Sequence, residues 1–184
     1  MLSSRYSADQ PIEQSEDDSS VTIAATDLRR VLGSFATGVT VVTCRVGERT
    51  HGITVNSFTS LSLTPPLVLV CIDRKAVAWD MIPEAGTFAI NVLSESQRQV
   101  CDYFAKRLAP DPNDEFAGVP HWLGVSGALL IDGALASIEC RLIERYPGGD
   151  HEIFVGEVIA ANIHSDAPPL VFHRGRFPRL QPAE

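Results

Sequence analysis

The chain has 184 residues, of which 45% are hydrophobic and 21% charged, and its formal net charge is −8. This length suits one domain with a single core, and the acidic balance argues against a nucleic-acid or anionic-membrane surface. No apolar run approaches the roughly 20 residues of a membrane-spanning helix, and the N-terminal residues lack the apolar stretch of a secretory signal, so we expect a cytoplasmic protein.

Residues 1–27 differ in composition from the rest of the chain. They carry six acidic residues against Arg5 alone, and they are rich in serine and poor in large apolar side chains. Segments of this kind bury too little apolar surface to fold alone. We therefore predict a disordered acidic tail over residues 1–27 and one folded domain over residues 28–184.

Beyond the tail, the apolar pattern alternates between helical and strand-like periods. Thr26 or Asp27 is placed to cap a short helix over residues 28–35, and Ser94 with Gln97 has the spacing of a capping box that opens a second helix, ending near Leu108. The β-branched and apolar stretches predict seven strands. These are residues 39–46, 50–55, 67–72, 87–92, 129–146 with an interruption at Asp132–Gly133, 152–163 with a possible bulge at Gly156, and 170–173.

The third of these strands, residues 67–72, is almost wholly apolar, which predicts burial on both faces. Short turns such as Gly47–Arg49 and Pro147–Asp150 join most strands, which is typical of antiparallel hairpins. The sequence therefore favours a mainly β protein, an antiparallel barrel with peripheral helices, over a parallel sheet with helical crossovers.

The four cysteines show neither disulfide nor metal-site spacing. Cys44, Cys71, Cys101 and Cys140 form no C-x-x-C pair, and none lies near a histidine at ligand spacing. Three of them lie in apolar stretches, where a free thiol acts as a small buried hydrophobe. We expect no metal site and a reducing compartment.

Four stretches combine polar or cationic residues with strand ends. Residues 52–66 run from a strand into an Asn-, Ser- and Thr-rich segment, which suits a flat polar-edged ring or a phosphate but equally a self-satisfied turn. Residues 71–75 place Arg74 and Lys75 at a strand end, which suits an anion or a solvated turn. His151 follows a glycine-rich turn, where it contacts a ligand or is merely exposed. Residues 173–177 form a basic segment of ligand-binding or surface character.

Together these stretches resemble the short-chain flavin reductase family, the small NAD(P)H:flavin oxidoreductase components of two-component monooxygenases such as 4-hydroxyphenylacetate 3-monooxygenase. The resemblance spans roughly residues 28–180. It is carried by six stretches in the family's order: residues 35–43 (FATGVTVVT), 54–60 (TVNSFTS), 65–71 (PPLVLVC), 88–93 (FAINVL), 149–151 (GDH) and 173–177 (HRGRF).

The resemblance implies an FMN-binding split β-barrel, a homodimer with FMN or FAD near the subunit interface, and NADH or NADPH as hydride donor. It implies that reduced flavin passes to a larger oxygenase. By the same resemblance His151 is the catalytic candidate on the nicotinamide side, and Arg74 or Lys75 approaches the flavin phosphate. The implied cofactor-binding residues are Thr54, Val55, Asn56, Ser57, Phe58, Ser60, Leu61, Cys71, Ile72, Asp73, Arg74, Lys75, His151, Arg174 and Gly175.

One departure from the family pattern concerns the phosphate. Many relatives have serines after the basic residue that follows the Cys71 strand, whereas this chain has Lys75 and Ala76, so Lys75 replaces a hydroxyl contact with a point charge. Two alternatives remain: a non-catalytic flavin- or haem-binding split-barrel protein, and an oxidase of the pyridoxamine-phosphate type. The second needs a set of phosphate-binding cations, which a chain with two lysines supplies poorly.

Overall fold

The computed structural model describes residues 23–106 and 114–181, and these residues form a mainly β architecture with three short α-helices. The helices are α1 Ala25–Leu32, α2 Val77–Ala85 and α3 Arg98–Phe104, the last preceded by a 3-10 turn at Glu95–Gln97. The strands are β1 Thr37–Gly38, β2 Thr40–Val46, β3 Arg49–Val55, β4 Thr59–Leu63, β5 Pro66–Asp73, β6 Thr87–Val92, β7 His121–Leu123, β8 Leu129–Ile131, β9 Ala136–Gly148, β10 His151–Ile163 and β11 Val171–Phe172.

Seven strands form one sheet in the order β3-β2-β6-β9-β10-β5-β4, and small two-stranded sheets pair β1 with β11 and β7 with β8. Every pairing between the named strands is antiparallel. The prediction of a mainly β fold with antiparallel strands and peripheral helices is therefore confirmed.

The core lies on both sides of β2. Val42 and Cys44 face a cluster formed with β5, β6, β10 and α2, whereas Val39 and Val41 face a second cluster that includes α3. The fully buried Asn91 links β2 to β8, because its side-chain amide donates to the Val41 carbonyl (3.2 Å) and accepts from the Ile131 N–H (2.8 Å). Buried polar groups of this kind are retained when their hydrogen bonds are satisfied.

The predicted bulge at Gly156 is confirmed, and packing explains it. The register between β9 and β10 shifts between Val155 and Gly156. A Cβ at position 156 would lie 2.6 Å from the Phe88 ring and 2.7 Å from the Cys140 Cβ, so only glycine allows this approach. The strand predicted over residues 87–92 is confirmed at the same bounds, and the interrupted strand over 129–146 is observed as β8 and β9.

Burial of the third predicted strand on both faces was wrong. In β5 only Val68, Val70 and Ile72 are buried, while Leu67, Leu69 and Cys71 on the other face remain partly exposed. An apolar run shows that both faces of a strand can be buried, but it does not show whether another element covers the second face.

The helix predictions needed three corrections. Helix α1 occupies residues 25–32 rather than 28–35, with Ala24 at its N-cap and no side-chain cap from Thr26 or Asp27. The predicted capping box is confirmed, since the Ser94 N–H donates to the Gln97 side chain (3.1 Å), but it opens a 3-10 turn. Helix α3 follows and ends at Phe104; Leu108 lies outside the described residues.

Four elements were not predicted: β1, β4, β7 and α2. Helix α2 contains Pro83 and buries only Ala78, Met81 and Ile82, so its apolar pattern is short. Strand β4 lies in the Ser- and Thr-rich segment that was read as a possible turn, because its pairing with β5 and not its composition holds it extended.

The predicted acidic tail falls mostly on residues 1–22, which lie outside the described residues, while residues 25–27 belong to α1. Within the described part of the chain, no helix has the length and apolar character needed to span a bilayer. Cys44, Cys101 and Cys140 are buried, as predicted, and burial raises the pKa of the Cys44 and Cys140 thiols to about 12.

Candidate functional site

A wide cavity of about 1590 Å³ lies between α1, the β3–β4 loop and the C-terminal segment. This exceeds the roughly 300–1,000 Å³ of a typical small-molecule pocket, which leaves room for more than one ring system. Five of the sequence-predicted site residues line it: Asn56, Ser57, Phe58, Arg174 and Gly175.

The β3–β4 loop is held in place from two sides. The Asn56 side-chain amide donates to the Thr37 hydroxyl (3.2 Å). The Ser57 hydroxyl donates to the Cys71 carbonyl (2.8 Å) and accepts from the Cys71 N–H (3.1 Å), which ties the loop to β5. Because both hydrogen-bonding functions of Ser57 are engaged, its side chain shapes the loop, and its backbone is the part that remains for a ligand.

A tight turn brings Arg174 and Gly175 to the cavity. His173 and Arg176 exchange two backbone hydrogen bonds of 2.9 Å, and the two residues between them have positive φ angles of 49° and 74°. This is the pattern of a two-residue hairpin with a primed turn, in which Asn and Gly are the usual residues. The Arg174 N–H also donates to the Gly33 carbonyl at the end of α1 (2.8 Å), so the turn and the helix form one wall.

Aromatic side chains give this cavity apolar faces. Phe35, Phe58 and Phe172 line it, and Phe35 is 77% exposed. Phe172 packs edge-on against Phe177, whose ring lies 3.6 Å beneath the Arg98 guanidinium. An exposed phenyl ring beside polar backbone suits a flat heteroaromatic ring with hydrogen-bonding edges.

The charges on the cavity wall have one sign. Within the part of the chain that the structure describes, its lining residues include Arg29, Arg30 and Arg174 and no Asp or Glu. None of the three arginines forms an ion pair with any residue in 23–106 or 114–181. We call these three residues the arginine rim. In a chain of net charge −8, such a wall favours an anionic ligand.

The second group of predicted residues lies at the end of β5, away from the lining of the cavity. His151 pairs with Asp73 across β10 and β5, and the Arg74 N–H donates to the Asp150 carbonyl (3.1 Å). We call Asp73, Arg74, Lys75, Asp150 and His151 the strand-end cluster. His151 Nδ1 lies 2.8 Å from Asp150 Oδ1, and this hydrogen bond with the imidazole lowers the pKa of Asp150.

A pair of charged side chains supports this cluster from the core side. Arg145 Nε lies 2.8 Å from Glu152 Oε1, and the Trp79 indole N–H donates to the same carboxylate. The Arg145 guanidinium also lies over the Trp79 and Phe154 rings. Burial raises the pKa of Glu152, but the hydrogen bonds from Trp79 and Arg145 outweigh it, so the net pKa is lowered.

The remaining predicted residues are not brought to the cavity by their side chains. The Thr54 hydroxyl donates to the Cys101 carbonyl (2.8 Å). The Ile72 side chain is fully buried in the core, so a ligand would contact only the backbone of Ile72. Val55 ends β3 and is partly buried against the core, while Ser60 and Leu61 lie on β4 with exposed side chains. Within the described residues, no cluster of His, Cys, Asp or Glu is suited to a metal.

Sequence reasoning assigned no role to the wall formed by α1. Arg29, Arg30, Phe35 and Thr37 line the cavity, yet none was singled out as a site residue. The available signal was weak: two adjacent arginines and one of eight phenylalanines. The hydrogen bond between Arg174 and Gly33 and the pairing of β1 with β11 bring them beside the C-terminal turn.

Curated relatives match most of this chain. An NADH-dependent FAD reductase of Streptomyces globisporus is 47% identical over 84% of this chain and 85% of its own length. An NADH-dependent FMN reductase of Streptomyces nodosus is 40% identical over 85% of each chain. The reductase component of 4-hydroxyphenylacetate 3-monooxygenase of Thermus thermophilus is 39% identical over 83% of this chain and 94% of its own.

A solved structure agrees with these matches. The Streptomyces globisporus NADH:FAD oxidoreductase SgcE6 superposes with a TM-score of 0.81 at 46% identity, over 86% of this chain and 94% of that one. The same enzyme in complex with NAD and FAD fragments has a TM-score of 0.79. The expected split-barrel architecture is thereby confirmed. The family described as "Flavin reductase like domain" matches residues 32–181, and the chain belongs to that family.

Proposed function

We propose that this protein is an NADH-dependent flavin reductase that supplies reduced flavin to a separate oxygenase. The observation that carries the proposal is the cavity, whose described lining combines the Asn56–Phe58 loop, aromatic faces and three arginines with no carboxylate. Two relatives are named NADH-dependent reductases, one of FAD and one of FMN, which favours NADH over NADPH and leaves both flavins as substrates. Their names favour a reductase over the non-catalytic flavin- or haem-binding alternative.

The cavity has the chemistry that a flavin needs. An isoalloxazine ring has two apolar faces and a polar edge, which Phe35 and Phe58 on one hand and the backbone of Asn56 and Ser57 on the other would meet. Backbone N–H groups in this position would stabilise the negative charge of the reduced ring. Cys71 on β5 borders the same loop through its two hydrogen bonds with Ser57.

The protein itself contributes orientation and electrostatics. Bound together, a reduced nicotinamide and a flavin supply the redox chemistry, a hydride transfer that oxidises the first and reduces the second. Holding the two rings in contact can account for up to about 7–11 kcal/mol of the barrier. His151, which is part-exposed and oriented by Asp150, would position the nicotinamide substrate, and Arg74 or Lys75 would approach the flavin phosphate.

Two kinds of protein partner follow from the proposal. The first is a second copy of this chain: α1 has no buried residue, and Val31, Leu32, Leu63, Tyr146 and Ile163 are large apolar side chains at least half exposed. Such surface is usual at interfaces rather than on free monomers. The second is the oxygenase, which the name of the Thermus relative as a reductase component supports. We further propose that the protein works in the cytoplasm, where Cys44, Cys71 and Cys140 remain reduced.

Anaerobic oxidation of NADH and NADPH with FMN, FAD and riboflavin tests the activity. We expect NADH oxidation that depends on added flavin, with NADPH a poorer donor. Binding of flavin without any NADH oxidation would contradict the reductase and favour the non-catalytic alternative. Transfer is tested by adding a candidate oxygenase with its aromatic substrate, where product must depend on both proteins.

A further inference from the structure

Among residues 23–106 and 114–181, no carboxylate forms an ion pair with the arginine rim. Arg29 and Arg30 lie in the last turn of α1, where a cation interacts favourably with the helix dipole. That effect does not involve Arg174, which comes from a segment about 140 residues later and lines the same cavity. Three cations that converge on one cavity repel one another unless an anion lies between them.

We propose that the arginine rim binds the diphosphate of the reduced nicotinamide dinucleotide. The inference rests on the proposed function and deepens it, because it assigns the substrate's anionic group to Arg29 and Arg30, which the sequence did not single out, together with Arg174. A diphosphate carries two negative charges, and the planar guanidinium group donates paired hydrogen bonds that match phosphate oxygens. The flanking rings of a dinucleotide would lie against the aromatic faces of the same cavity.

The backbone at Arg174 supports a functional role for its side chain. A non-glycine residue with φ of 49° is uncommon, and the primed turn favours Asn or Gly at this place. Strained positions of this kind persist where the surrounding structure holds them, and they concentrate at ligand sites. Here the two hydrogen bonds between His173 and Arg176, and the one from Arg174 to Gly33, hold the turn.

The alternative source of the anion is the flavin phosphate. The strand-end cluster already offers Arg74 and Lys75 for a phosphate, in the stretch where the family resemblance expects it. The cavity wall is therefore free for the second substrate. FMN, FAD and NADH all carry phosphate. Replacing one substrate at a time with an analogue that has no phosphate therefore shows which phosphate the arginine rim binds.

The test uses Arg30→Gln, Arg174→Asn and the triple variant with Arg29→Gln, in the full chain. Asn at position 174 suits the positive φ, so this variant removes the charge and keeps the turn. Arg49→Gln is the matched control, because Arg49 forms an exposed ion pair with Glu84 and does not line the cavity. Circular dichroism and thermal unfolding establish that each variant is folded.

Steady-state rates are measured for two donors against two acceptors. The donors are NADH and 1-benzyl-1,4-dihydronicotinamide, which has no phosphate; the acceptors are FMN and riboflavin, which has none either. Equilibrium binding of NADH without flavin, followed by its fluorescence, gives a readout that does not depend on turnover. We expect Arg174→Asn to lower kcat/KM and affinity for NADH roughly tenfold, and the triple variant roughly 100-fold. The benzyl donor should be used as well as by the wild type.

Each other outcome overturns the inference in a recognisable way. A defect that follows FMN but not riboflavin assigns the rim to the flavin phosphate. A defect that persists with the benzyl donor and riboflavin shows a structural role, and variants that match Arg49→Gln show that the rim binds neither substrate. If the wild type oxidises NADH with no flavin, the proposed function fails first, and the NADH affinities still report on the arginines.

Discussion

Two groups of cationic side chains in this protein, the strand-end cluster and the arginine rim, differ in their partners. In the strand-end cluster and the adjoining Arg145–Glu152 pair, carboxylates lie among the cationic side chains. His151 is paired with Asp150, Arg145 is paired with Glu152, and the Asp73 carboxylate accepts from the Lys75 backbone N–H. On the arginine rim no carboxylate is present among the lining residues. Paired charges hold strands and turns in place, whereas unpaired charges of one sign need an anion from outside.

The comparison predicts that Arg145 is structural. Arg145→Ala removes the guanidinium that bonds to the Glu152 carboxylate and lies over the Phe154 ring. Because the carboxylate then keeps only the Trp79 indole as a hydrogen-bond donor, we expect a larger loss in the free energy of unfolding than at an exposed ion pair. Urea denaturation measures it.

Arg141→Ala is the control for that experiment, since Arg141 forms an exposed ion pair with Glu157 and should cost less than about 1 kcal/mol. If the two variants lose the same stability, the Arg145–Glu152 pair contributes no more than a surface pair. The distinction between a region with paired charges and a region with unpaired charges would then have no basis in stability.

A variant at His151 tests whether the strand-end cluster also contributes to catalysis. We expect His151→Ala to lower kcat/KM for NADH about tenfold, by a higher KM or a lower kcat, because one oriented contact with the substrate is lost. The Kd of FMN, measured by fluorescence quenching, should change little. His164→Ala is a suitable control, because His164 bonds to Ser137 on another strand. Unaltered NADH kinetics in His151→Ala would exclude the positioning role.

Ala76 offers a smaller change with two separate readouts. This residue is the N-cap of α2 with extended backbone angles, and it makes no side-chain cap. Ala76→Ser supplies the missing hydroxyl, so we expect a gain of about 0.5–2 kcal/mol in stability. If the flavin phosphate binds beside Lys75, the variant should also bind FMN several-fold more tightly and riboflavin unchanged. A gain in stability with no change in the FMN affinity would place the phosphate elsewhere.

The smallest expected effect is on the free energy of unfolding at acidic pH. The pKa of Glu152 is lowered in the folded protein, so its ionised form contributes stability above its ordinary pKa of 4.5 and loses it as the pH falls through the folded value. In Glu152→Gln this contribution is absent. The difference in urea midpoint between wild type and variant should therefore shrink from pH 7 to pH 3. A difference that is constant across this range would show that the carboxylate is not linked to folding.

The sequence by itself determined the class of fold and the loop that carries the site. Alternation of β-branched residues and short turns specified most strands, because the side-chain period of a strand is read directly from the chain. The resemblance led to residues 54–58 and 173–177, and three residues of the first stretch and two of the second line the cavity. Where burial depends on a neighbour, as on the second face of β5, the pattern failed.

Tertiary structure alone decided which charges remain unpaired. Sequence places Arg74 and Lys75 at a strand end, but only the pairing of β5 with β10 brings Asp73 beside His151, with Asp150 at the adjoining turn. Likewise, the hydrogen bond from Arg174 to Gly33 and the pairing of β1 with β11 join α1 and the residues after it to the C-terminal turn. Such contacts join residues far apart in the chain, and electrostatic interactions depend on distance in space and not on separation in sequence.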